Sequence, residues 1–246
     1  MKFPQILALA ACLLAASCAP AYSAVIAGWD NWDGYVSATT SYTADQAISG
    51  FTARLSVAGD RVSATFNSND GTFGTTAGAA TTGDALILSQ QNNALTVTLT
   101  LINNTGSEYS LSSIGFDFAP RTNAGGDAGP RSFALSYVSG NLGTGPVAIG
   151  SQSSLPIWIA NTTNVQSNFP DYDLALSPAL SDTTLANGEQ AVFTLVLSNF
   201  TQASVGSVLD NVAIVGNLVP EPGGGVLALA GGLCLSARRR RAPGIA

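Results

Sequence analysis

Over residues 94–102 the chain alternates without a break: Leu95, Val97, Leu99 and Leu101 take one parity, and Thr96, Thr98 and Thr100 take the other. A period of two puts four aliphatic side chains on one face of a strand and three threonines on the opposite face, which a helix of about 3.6 residues per turn cannot do. The segment predicts a half-buried antiparallel strand, with a core on one side and water on the other. Residues 190–200 repeat the period, with Phe193, Leu195 and Leu197 on one face and Val192, Thr194 and Val196 on the other, so a more central strand is expected there. Short runs rich in β-branched and aromatic residues at 35–40, 51–57, 61–66, 85–89, 109–118, 132–138, 155–160, 172–176 and 208–216 extend the pattern.

Turn chemistry separates these runs. Ala58-Gly59-Asp60 predicts a hairpin joining 51–57 to 61–66, because glycine and aspartate tolerate the positive φ of tight turns. Asn103-Asn104-Thr105-Gly106 and Asn187-Gly188 carry the same chemistry, and 67–83 and 123–130 read as longer loops. No window of the body keeps an amphipathic helical stripe with caps. The expected fold is all-β: an antiparallel two-sheet β-sandwich of jelly-roll or lectin-like type, in one domain over residues 25–218.

Both ends read as addresses. Residues 1–24 have a basic start at Lys2, an apolar stretch over 6–16 and small residues at Ala19, Ala21, Ser23 and Ala24, the layout of a secretory signal peptide. Cleavage after Ser23 and cleavage after Ala24 both remain open, and Leu14-Ala15-Ala16-Ser17-Cys18 offers a lipoprotein alternative. At the other end, residues 219–242 combine Pro220-Glu221-Pro222, an apolar stretch over 223–237, and Arg238, Arg239, Arg240 and Arg241. As a helix that stretch would be about 22 Å long, short of the roughly 30 Å of a bilayer core. Its five glycines weaken it further, so it suits a temporary stop better than a permanent anchor. The arginines would hold the C-terminus on the cytoplasmic side and leave the body outside.

With the ends set aside, the body keeps Arg54, Arg61, Arg121 and Arg131 against fourteen acidic residues, a net charge of −10. That sign repels phosphate backbones, so nucleic acid is not an expected partner. Cys12, Cys18 and Cys234 all lie in the end segments, so the body cannot form an internal disulfide. The chain has no histidine, and its one lysine is Lys2. Ser-His-Asp and Cys-His nucleophilic sites, imidazole zinc sites, and thiolate or Schiff-base catalysis are therefore excluded, and no catalytic residue is assigned.

What remains is carboxylates, hydroxyls, amides and aromatics. Asp171 and Asp173 share a strand face and could serve carboxylate-based glycoside chemistry, although capping a turn after Phe169-Pro170 is the favoured role. Asn67, Asn69 and Asp70 before Gly71, and Asp30, Asn31 and Asp33, are oxygen-rich enough to be weak calcium candidates. Asx turns account for both groups without a metal, and no cofactor is expected. Trp29, Trp32 and Trp158 could stack on the apolar face of a sugar; packing into the sheets is the expected alternative.

The order Pro-Glu-Pro, apolar stretch, arginine cluster resembles the PEP-CTERM sorting signal of Gram-negative bacteria, over about residues 219–241. Leu209-Asp210-Asn211-Val212 resembles the closing strand of many proteins with this signal, whose bodies often look like lectin or carbohydrate-binding sandwiches. The resemblance implies an exosortase as processing partner. It also implies transient insertion in the inner membrane and delivery to the cell surface or exopolysaccharide matrix. Gly223-Gly224-Gly225 departs from the Ser or Thr that usually follows the motif. The expected function is that of a non-enzymatic structural or adhesive component of the envelope. A carboxylate-dependent polysaccharide hydrolase or lyase and a calcium-assisted carbohydrate-binding module are the alternatives.

Overall fold

The computed structural model describes residues 23–32, 41–58, 60–64, 68, 71–77, 85–89, 94–122, 129–156, 158–159, 169–200 and 207–220. The expected strand over 35–40 lies outside these residues. All described elements are strands. Six of them form one sheet in the order β12 (Val147–Gln152), β11 (Ser132–Gly140), β16 (Gln190–Ser198), β9 (Ala94–Asn103), β4 (Phe51–Ala58) and β2 (Ser41–Thr43). The 94–102 alternation becomes β9: Leu95, Val97, Leu99 and Leu101 are buried and the threonines half-buried. The segment expected to be central becomes β16, between β11 and β9.

The second sheet has nine strands. Its spine runs β13 (Trp158–Ile159), β10 (Tyr109–Thr122), β17 (Ser207–Leu218), β1 (Ala24–Trp29) and β3 (Gln46–Ala47). β14 (Asp171–Ala175) and β15 (Thr184–Leu185) also pair with β10. β8 (Ala85–Ser89) joins β17 to β5 (Asp60–Ala64). All pairings in the two sheets are antiparallel except the two-residue contact of β10 with β13. A small hairpin, β6 (Thr72–Phe73) with β7 (Thr76–Ala77), stands apart from both sheets.

The hairpin expected at Ala58-Gly59-Asp60 does not form. Both edges of β4 are taken, by β2 and β9, so the chain beyond Ala58 enters the other sheet, where β5 pairs with β8. The turns at Gly106 (φ 86°) and Gly188 (φ 85°) also carry the chain between sheets. Asn103, fully buried, ties that end together: its Nδ2 donates to the carbonyls of Ser107 at 2.8 Å and Leu185 at 2.7 Å.

The sheets pack face to face through one core that takes Leu55, Leu99, Phe193 and Leu195 from the six-stranded side and Ile114, Phe116, Phe118, Val212 and Ile214 from the nine-stranded side. Each such burial contributes about 1.5–3 kcal/mol before entropy is counted. Phe116, Phe133 and Tyr172 meet across the seam, with Phe133 edge-on to Tyr172 at 4.9 Å and Phe116 stacked on it at 5.4 Å. This contact pins β14 against β10. The described strands all fall within Tyr22–Leu218, which packs as one unit.

Candidate functional site

β17 is buried on both faces nearly throughout. Leu209, Val212 and Ile214 enter the main core, while Val208, Ala213 and Val215 join smaller apolar clusters on the outer side. The inward parity changes between Leu209 and Val212 because the register with β10 slips there: Gly115 faces Ala213, but Asp117 faces Asp210. Asn211 occupies the bulge at φ 45°, a left-handed conformation that asparagine adopts more readily than most residues. The bulge puts two consecutive polar residues, Asp210 and Asn211, on the same outer face.

Their neighbours complete an acidic row. Asp117 on β10 stands opposite Asp210 on one side and Asp171 of β14 on the other. Trp29 pairs with Val212, which sets Asp30, the next residue of β1's chain, beside Asn211. Asp30, Asp117, Asp210 and Asn211 are sealed from solvent, at 1 %, 0 %, 1 % and 0 % exposure; Asp171 is exposed. The β6–β7 hairpin sits over the same face. A Cβ on Gly28 would meet the Phe73 ring at 2.8 Å, and one on Gly115 would meet the Phe73 carbonyl oxygen and Asp173 Oδ1 at 2.9 Å.

Asp210 is the most connected member of the row. Its Oδ2 accepts from the Ser68 backbone N–H at 2.8 Å, and its Oδ1 accepts from the Asn211 N–H at 3.0 Å and from Trp32 Nε1 at 3.2 Å. Burial nevertheless pushes its carboxyl up to about 8, with the charge of Asp30 adding to the rise and the three donors opposing it. Asn211 Nδ2 donates to Asp117 Oδ2 at 2.8 Å, which directs the amide oxygen away from that contact. Oδ1 of Asn211 is buried and has no hydrogen-bond partner among the described residues. Asp30 Oδ2 accepts from Gln46 Nε2 at 3.3 Å. Asp45 Oδ2 accepts the backbone N–H groups of Asp30 and Asn31, each at 3.0 Å; burial raises its carboxyl despite them.

Several residues singled out in the sequence therefore meet here: Asp30, Asp171 and the Asp210-Asn211 pair share one row. Asp173 lies on the same face of β14 as Asp171 but serves the β6–β7 turn, accepting from Thr75 N at 2.7 Å and from Thr75 Oγ1. Trp29 and Trp32 are core residues, 1 % and 3 % exposed, so neither ring offers a face to a sugar. Trp29 Nε1 donates to the Tyr42 carbonyl at 3.2 Å, and Trp32 meets the Tyr42 ring edge-on at 5.2 Å. Trp158 belongs to the short β13, and its side chain lies outside the described residues, as do Asp33, Asn67, Asn69, Asp70, Glu221, Pro222 and Arg238 to Arg241. Among the described residues no three histidine, cysteine, aspartate or glutamate side chains stand close enough to hold a metal ion. No described helix is long and apolar enough to cross a membrane. Sequence reasoning passed over Asp117, whose signal was a charge alternating with Phe116 and Phe118 in an otherwise apolar strand.

The outer face of the six-stranded sheet is chemically different. Ser41, Ser56, Thr98, Thr194 and Ser136 stand opposite one another on five successive strands, all half-buried. At a strand spacing of about 4.8 Å this hydroxyl row runs roughly 19 Å. Beside it lies the row Thr43, Arg54, Thr100 and Val192.

No family model and no curated protein sequence matches the chain. Among solved structures it is similar to the mannan-recognising carbohydrate-binding module TmCBM27, at 12 % identity and a TM-score of 0.39, over 79 % of this chain and 98 % of that one. TmCBM61, solved with β-1,4-galactotriose, is matched at 10 % identity and a TM-score of 0.34, over 65 % of this chain and 86 % of that one. The enzymatically active domain of tailspike protein 4 from bacteriophage CBA120 is matched at 18 % identity and a TM-score of 0.36, over 70 % of this chain but only 20 % of the tailspike. Likeness at these values assigns the chain neither a family nor a function; what stands on the coordinates is an all-β body of two antiparallel sheets.

Proposed function

We propose that this chain is an exported, surface-sorted, non-enzymatic β-sandwich protein that acts as a structural or adhesive component of the cell envelope or its polysaccharide. The carrying observation is the hydroxyl row of Ser41, Ser56, Thr98, Thr194 and Ser136, opposite one another on five successive strands of one sheet face. Each hydroxyl donates one hydrogen bond and accepts others, so a row of them offers successive partners for the hydroxyls of an extended glycan. Water-bridged contacts would serve as well as direct ones at such a surface. Export and sorting rest on the two end segments and their resemblance to a signal peptide and a PEP-CTERM signal, with an exosortase as the processing partner.

Carboxylate catalysis is less well supported. It needs two carboxyl groups facing each other across an open cleft. Asp117 and Asp210 are sealed, and the two exposed carboxyls, Asp171 and Asp173, lie side by side on one face of β14 rather than across a cleft, with Asp173 engaged by Thr75.

A glycan array probed with the purified full chain tests adhesion. Retention on extended polysaccharides is the expected result, and no retention on any glycan would leave only the structural role. Mass spectrometry of the mature C-terminus from the native host tests sorting. A terminus near Pro220 is expected, whereas a chain still ending at Ala246 would remove the sorting step.

A further inference from the structure

An open sheet ends in edge strands, whose unpaired backbone N–H and C=O groups can take up any strand that reaches them; proteins blunt such edges by keeping them short or by charging them. Most edges here follow that rule. β2, β3, β13 and β15 have two or three residues each, β5 carries Asp60 and Arg61, and β14 carries Asp171 and Asp173. β12 does not. It closes the six-stranded sheet with six residues, Val147 to Gln152, none of them charged and none proline. Among the described residues its one strand partner is β11, and a bulge at Ile149 is its one blunting device.

The chain around β12 is uncharged as well. From Ser132 to Pro170 the sequence contains no charged residue, in a body whose net charge is −10. Behind the strand, Leu174 Cδ2 of β14 lies 3.0 Å from where a Cβ on Gly150 would stand, so an apolar side chain backs the edge; Asp171 and Asp173 have the opposite parity on β14. A partner recognised by charge finds nothing to read here. A second copy differs, because it brings the same uncharged strand, and two acidic bodies repel least when their neutral sides meet. Identical edges are also self-complementary in an antiparallel pair, the arrangement of a two-fold dimer.

We propose that β12 pairs antiparallel with β12 of a second copy, joining two six-stranded sheets into one of twelve strands. The two-fold axis of such a pair stands perpendicular to the sheet, so both outer faces point the same way. Ala148 lies opposite Ser136, where the hydroxyl row ends, and the pairing therefore brings two rows onto one surface. Two rows held together engage a repeating polymer more tightly than either alone. That gain rests on the adhesive reading; the pairing itself does not.

Sedimentation equilibrium of the full chain over a range of concentrations tests the proposal. An edge about 20 Å long is a small contact, so a reversible dimer with a Kd on the order of 10–100 µM is expected. Ala148 is exposed on the outer face of the edge, and Ala148→Lys sets like charges near one another across the two-fold axis. It should weaken the dimer at least tenfold while Tm stays within about 2 °C of wild type, as an exposed substitution does. Thr52→Lys adds the same charge at an exposed position on β4, inside the sheet, and should dimerise as wild type does. The proposal is overturned if the chain keeps the mass of one copy up to about 0.5 mM. It is overturned equally if Ala148→Lys associates as tightly as wild type, which would place the contact on another surface or on the end segments. Glycan retention by a chain that stays monomeric would overturn the pairing and leave the adhesive reading standing.

Discussion

On the outer face of the six-stranded sheet, Ser41, Ser56, Thr98, Thr194 and Ser136 form a cross-strand row, all half-buried; on the outer face of the nine-stranded sheet the row is Asp171, Asp117 and Asp210, and the last two are sealed. Both rows come from the same period-two geometry. They differ in what lies above them. The β6–β7 hairpin and Ser68 are held over the acidic row, through Phe73 against Gly28 and the Ser68 N–H on Asp210. A row of neutral hydroxyls can stay wet, whereas carboxylates packed under a cover must be neutralised or held by donors. The face richest in carboxylates is thus the covered one, and the hydroxyl row of the other face stays partly exposed.

The largest expected effect is at the cover. Phe73→Ala removes a ring that is fully buried against the nine-stranded sheet, and should cost about 3–5 kcal/mol in a denaturant titration of the full chain. A loss below about 1 kcal/mol would mean that the acidic face does not depend on its cover.

Next comes pH. Asp210 has a folded pKa near 8, above the ordinary carboxylate value, so the folded state holds its proton through a range where the unfolded chain has released it. The sign follows: its contribution is fully present below about pH 4 and is lost as pH rises through about 8, by a few kcal/mol. The charge of Asp30, of the same sign, acts on it as well and deepens the fall. Asp210→Asn should flatten the pH dependence of Tm between 5 and 8, and an unchanged slope would move the effect to another group.

Smaller effects sharpen the contrast. Gly115→Ala sets a Cβ 2.9 Å from the Phe73 carbonyl oxygen and should cost about 1–3 kcal/mol through overpacking. On the other face, Thr98→Val and Thr194→Val should each stay within about 0.5 kcal/mol of wild type, as surface changes on a strand that keep β-branching do. Equal costs on the two faces would erase the distinction between them.

How much of this was readable beforehand depended on register. The 94–102 alternation gave β9 and its buried face directly, because parity needs no partner to be recognised. Asp30, Asp171 and Asp210-Asn211 each drew attention separately, as a turn cluster, a carboxylate pair and a closing strand. Their meeting was not readable, because it depends on the pairing of β14, β10, β17 and β1 and on a bulge at Asn211 that shifts one strand by a residue. The Ala58–Asp60 hairpin failed for the same reason: local turn chemistry says nothing about which edges of β4 are already occupied. Trp29 and Trp32 looked available for stacking because their sequence neighbours are small and acidic. The fold instead gives each indole N–H an acceptor, Tyr42's carbonyl and Asp210, and buries the rings.

The division of labour between the faces is tested most directly by polysaccharide retention of three full-length chains: wild type, the hydroxyl-row variant Ser56→Ala with Thr98→Val and Thr194→Val, and Asp171→Asn. Retention at least tenfold weaker in the hydroxyl-row variant and unchanged in Asp171→Asn is the predicted result. Full retention by the hydroxyl-row variant, with loss in Asp171→Asn, would contradict it.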